Sequence, residues 1–65
     1  NIRVSIFDSR GALVRLLFDG PAAAGINRFV WDGRNDSGAD VASGVYYATA
    51  RTGTEVYERK LVMVR

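Results

Sequence analysis

Ile2-Arg3-Val4-Ser5-Ile6-Phe7-Asp8-Ser9-Arg10-Gly11 sets the fold class. From Ile2 to Ile6 apolar and polar residues alternate strictly, the period-two pattern of a strand with one face buried. Asp8-Ser9-Arg10-Gly11 then reads as a type I turn. An aspartate at its first position can accept bonds from the following backbone, and a glycine at its fourth tolerates positive φ. The turn makes a hairpin, with Ala12 to Phe18 as the returning strand. Leu13, Val14, Leu16, Leu17 and Phe18 place apolar groups on both sides, a spacing that would also suit two turns of helix. The segment is short and lies between turn signals, which favours a bulged strand.

Beyond the hairpin, Asp19-Gly20-Pro21-Ala22-Ala23-Ala24-Gly25 reads as a loop, because proline and two glycines break both regular structures. Alternation resumes from Asn27 to Asp32, with Phe29 and Trp31 on one side and Arg28, Val30 and Asp32 on the other. The pattern predicts a third strand there. Gly33 to Asp40 is a long polar loop, and Val41-Ala42 leads into a tight bend at Ser43-Gly44. Val45 to Arg51 is the fourth strand, with Tyr46, Ala48 and Ala50 on one side. Thr52-Gly53 turns the chain into a last strand from Glu55 to Val64. Five main strands with turns every eight to twelve residues predict an all-β fold, a sandwich or barrel.

The chain has 65 residues, no cysteine and no histidine, and opens on Asn1. A chain of this size buries only about 60% of the surface it exposes when unfolded, so its core is near the minimum for independent folding. It reads as one module, residues 1–65, of a longer protein. Its net charge is +2, and the nine basic residues are spread along the chain, with only Arg59-Lys60 adjoining. A nucleic-acid interface concentrates such charge on a patch or stripe, so no nucleic-acid partner is expected. No apolar run approaches the ~20 residues that span a bilayer, and no membrane insertion is expected.

Reaction chemistry has few candidates. Without histidine and cysteine, the commonest base near neutral pH, the usual zinc ligands and the most nucleophilic side chain are missing. The five aspartates sit at strand ends and turns, where backbone bonding explains them. Asp32, Asn35, Asp36 and Asp40 could offer oxygens to calcium. The EF-hand spacing fails, because counting back from Gly38 meets Gly33, Asn35 and Ser37, and a turn network is the better reading. Trp31 and Tyr46 are expected inside, since so small a core needs its large side chains. Tyr47 and Tyr57 are the candidates for exposure. No catalytic residue, cofactor or metal is expected.

Ile6-Phe7-Asp8 with Gly11, Val14 and Leu17, then Ala24-Gly25, Trp31-Asp32-Gly33, Gly38 and Ser43-Gly44-Val45-Tyr46, resembles the immunoglobulin-like domain of the flagellar hook-capping protein. With the closing Lys60-Leu61-Val62-Met63-Val64-Arg65, the series is also similar to the C-terminal sorting domain (type A) of the type IX secretion system. Both resemblances imply an immunoglobulin-like or fibronectin-III-like β-sandwich on a secreted or cell-surface bacterial protein. The sorting family implies recognition by export machinery, with Lys60, Leu61, Met63, Val64 and Arg65 as the recognition residues. The hook-cap family implies a structural scaffold, or a spacer in contact with neighbouring domains. An accessory module that binds carbohydrate or calcium is a further alternative. Both families usually begin with an additional strand or hairpin. Its absence here predicts an unpaired sheet edge along Ile2 to Phe7.

Overall fold

The computed structural model describes residues 1–21 and 28–64. Four strands form one antiparallel sheet: β1 (Ile2–Asp8), β2 (Leu13–Gly20), β3 (Gly44–Arg51) and β4 (Val56–Met63), in the order β2-β1-β3-β4. The all-β class follows the alternation in the sequence.

β1 and β2 form the hairpin that Asp8-Ser9-Arg10-Gly11 requires. The Gly11 amide donates to the Asp8 carbonyl at 3.0 Å, and Gly11 has φ of 85°. The Asp8 Oδ1 accepts from the amides of Arg10 at 2.9 Å and Ala12 at 3.0 Å. The register between β1 and β2 shifts twice, so that Leu17 and Val14 are extra residues on β2. Each bulge exchanges the two sides of the strand. That exchange explains a β2 sequence apolar on both sides.

Three expectations are corrected. The strand predicted for Asn27 to Asp32 does not form: residues 28–33 run without a ladder partner, and Asn27 lies outside the described residues. Phe29 and Trp31 alternate with the exposed Arg28, Val30 and Asp32 because one side of this segment lies on the sheet, not because it pairs. Second, the loop expected from Asp19 begins later. Asp19 and Gly20 pair with Arg3 and Ile2 and end β2, while Ala22 to Gly25 lie outside the described residues. Third, Ile2 to Phe7 is no edge, since β1 pairs with β2 on one side and β3 on the other. β2 and β4 are the edges.

The core is small. Among the described residues Val4, Ile6 and Tyr46 are the buried apolar ones, and of these only Ile6 is almost wholly enclosed. Val4 and Ile6 stand opposite Ala50 and Ala48 on β3. Tyr57 and Leu61 of β4 continue that face beyond Ala50 and Tyr46. Phe29 and Trp31 cross it from above, Phe29 at 5.1 Å between ring centroids from Phe18 and Trp31 at 5.3 Å from Tyr46. The reverse face carries Arg3, Ser5, Phe7, Thr49 and Arg51, with Leu13 and Leu16 half-exposed beside them. Among the described residues, one sheet and one crossing segment make up the fold.

Candidate functional site

The loop from Gly33 to Asp40 is held by a device the chain uses twice. In Asp8-Ser9-Arg10-Gly11-Ala12, the first side chain accepts from the amides two and four residues on. In Asn35-Asp36-Ser37-Gly38-Ala39, the Asn35 Oδ1 accepts from Ser37 and Ala39, both at 3.0 Å. The Gly38 amide donates to the Asn35 carbonyl at 2.9 Å, and Gly38 has φ of 83°. Asn35 to Ala39 thus repeats the geometry of Asp8 to Ala12. Aspartate and asparagine are interchangeable here because the turn uses one oxygen acceptor.

This second turn docks on the β2 edge. The Asp36 amide donates to the Val14 carbonyl at 3.1 Å, and the Asp36 Oδ1 accepts from the Leu16 amide at 3.1 Å. Arg15 reaches Asp32 at 3.2 Å, and the same Asp32 oxygen accepts from the Arg34 amide at 3.0 Å. Arg34 and Asp40 pair across the loop at 3.5 Å. The four oxygen-bearing residues considered for calcium are therefore each engaged in turn or edge bonds. Among the described residues no group of three or more acidic side chains stands close enough to hold a metal.

Trp31 and Tyr46 are fixed at both ends. The Trp31 Nε1 donates to the Arg34 carbonyl at 2.9 Å, and the Tyr46 hydroxyl donates to the Ala42 carbonyl at 2.6 Å. A tyrosine at the start of a strand, bonded to backbone four residues upstream, is the corner that immunoglobulin-like sandwiches use to fix a strand entry. The sequence reading missed this bond. Its signal was the spacing of Ala42 and Tyr46 around the Ser43-Gly44 bend. Tyr46 is buried, while Trp31 is half-buried and forms one wall of a groove.

That groove has a volume of about 780 Å³. Phe29 and Trp31 wall one side, Tyr57, Leu61 and Met63 the other, and Ala48 and Ala50 form the floor. Its charged lining residues are Glu58 and Arg59. Such a surface can take apolar side chains; it presents no paired acid and base. The Tyr57 hydroxyl bonds the Glu55 carboxylate, which pushes the phenol above its ordinary range, first through that hydrogen bond and then through the adjacent negative charge.

The four described residues among those expected to be recognised on the last strand do not share one face. Leu61 and Met63 are half-buried on the groove face, and Lys60 stands on the opposite face across from Tyr47. Val64 is exposed beyond the end of β4, and Arg65 lies outside the described residues. Among the aromatics named for exposure, Tyr57 is exposed and Tyr47 half-buried. The scattered arginines are partly neutralised: Arg3, Arg10, Arg15 and Arg34 pair with Asp19, Asp8, Asp32 and Asp40. Such exposed pairs add little stability.

A family model described as the FlgD Ig-like domain matches residues 1–55. Neither the curated proteins nor the solved structures contain a significant match.

Proposed function

The chain belongs to the FlgD Ig-like domain family, and from that premise we propose that it is a non-catalytic structural module, hook-cap-like or a spacer, of a surface-associated bacterial protein. One observation carries this reading. All five aspartates hold a turn, a strand edge or an arginine: Asp8 its own hairpin, Asp36 the β2 edge, Asp32 and Asp40 the loop, Asp19 the end of β2. The aspartates are occupied in keeping the shape.

The family relationship further supports a sandwich, in which the sheet is one layer and the groove is where a second would lie. Sandwich layers pack about 10 Å apart, and Phe29 and Trp31 cover only part of that face. Neighbouring segments or domains of the parent protein are the partners this reading implies.

The sorting alternative is separable by experiment. Deleting Lys60 to Arg65 would be uninformative, because Lys60 and Leu61 pair with Tyr47 and Tyr46 and their loss would open the sheet. Lys60→Ala combined with Val64→Ser alters the exposed part of the run and leaves the ladder in place. In the parent protein, the structural reading expects normal export of this double variant. A folded double variant retained in the periplasm would overturn the structural reading and favour recognition of the last strand.

A further inference from the structure

The two edges of the sheet are protected unequally. β2 is bent by two bulges and covered by Asp36, through the bonds to Val14 and Leu16. β4 pairs with β3 over all eight of its residues without a shift, and among the described residues no strand pairs its other side. Val56, Tyr57 and Val62 on this edge are 55%, 56% and 68% exposed. A long straight edge with exposed apolar side chains is a template for another strand.

Its sequence says which strand fits. Val56-Tyr57-Glu58-Arg59-Lys60-Leu61-Val62 is chemically palindromic about Arg59. Opposite charges stand one residue away on either side, large apolar side chains two away, and valines three away. We propose that β4 pairs antiparallel with β4 of a second copy of this chain, about a two-fold axis at Arg59. Glu58 then faces Lys60 of the second copy, Tyr57 faces Leu61, and Val56 faces Val62, and each contact occurs twice by symmetry. Directly opposed residues in an antiparallel pair share a face, so the two groove faces join into one.

Neighbouring registers are poorer. Centring on Glu58 opposes two glutamates and sets Val56 against Lys60; centring on Lys60 opposes two lysines and sets Glu58 against Val62. The Arg59 register also opposes like charges at its axis. It alone of the three joins both Glu58–Lys60 pairs, and each guanidinium lies diagonal to a tyrosine ring within reach of so long a side chain.

The charge palindrome gives a test that keeps the fold. Within one chain Glu58 and Lys60 stand opposite Thr49 and Tyr47, so reversing either charge breaks no ion pair seen here. Sedimentation equilibrium of the full protein carrying this chain should show reversible self-association. Glu58→Lys and Lys60→Glu should each weaken it roughly tenfold or more, because two attractive cross-strand pairs become repulsive. An equimolar mixture of the two variants should recover the original strength, since each supplies the charge the other lacks. Association unchanged in both single variants, no association up to millimolar protein, or failure of the mixture to recover would each overturn the proposal. The register has its own probe in a chain without cysteine. Axis residues of an antiparallel pair sit ~4.5–5.5 Å apart between Cα atoms, inside the disulfide range. Arg59→Cys should therefore cross-link on mild oxidation much faster than Glu58→Cys, and equal rates would overturn the Arg59 axis.

Discussion

Asp8 shows how much one side chain can do in a short turn. Its carboxylate accepts from the amides of Ala12 and Arg10 and from the Arg10 guanidinium. The Ala12 amide, and next the Arg10 side chain, hold it below the ordinary carboxylate range. A group whose folded-state pKa is lowered stabilises the fold above its unfolded pKa, and that stabilisation fades as pH falls through the folded value. Acidification below about pH 4 should therefore weaken the hairpin in part through Asp8. Asn35 builds the same turn with a neutral amide, so geometry and charge can be separated. Asp8→Asn should fold at neutral pH and lose less melting temperature between about pH 5 and pH 2 than the parent does. Equal losses in both proteins would remove Asp8 from the acid response. This turn was legible because aspartate and glycine each have a positional preference with a local cause. The Tyr46 hydroxyl was not, since its acceptor at Ala42 depends on how the chain bends through Ser43 and Gly44.

At the scale of an element, alternation reports which side of a segment is covered and is silent about pairing. Ile2 to Ile6 and Asn27 to Asp32 show the same period, yet among the described residues only the first joins a ladder. Strand order was equally hidden. Period two could not tell that β3 returns beside β1, and so the expected edge at Ile2 to Phe7 became the centre of the sheet. What the sequence did carry was the apolar excess of β2, which two bulges accommodate. On this edge strand the Leu16 amide bonds outside the ladder, and Asp36 is its acceptor. Asp36→Ala should cost about 1 kcal/mol, the usual net worth of one such bond. Hydrogen exchange locates the effect: the Leu16 amide should exchange faster while amides in the β1–β3 ladder keep their protection. Unchanged exchange at Leu16 would mean that the loop does not guard this edge.

For the whole molecule the deciding quantity is how little is buried. A domain of this length has roughly 3–10 kcal/mol of stability, from about 0.05–0.15 kcal/mol per residue. Among the described residues only Val4, Ile6 and Tyr46 are enclosed apolar side chains, so half-buried rings carry part of the load. Trp31 is the test of that. It packs edge-on against Tyr46, and its indole nitrogen ties the crossing segment to Arg34. Removal of a large buried aromatic costs about 3–5 kcal/mol, and a half-buried one belongs at the low end. Trp31→Ala should thus take away much or all of the stability, whereas Trp31→Phe keeps a ring against Tyr46 and forfeits one hydrogen bond, about 1 kcal/mol. Urea unfolding of both variants gives the comparison through their midpoints. The ratio between the two losses matters more than either alone. If Trp31→Ala unfolds at nearly the same urea concentration as the parent, the indole is not holding the layer down. The groove would then be a wall of exposed aromatics free to meet a ligand, and the structural reading of this face would have to give way to a binding one.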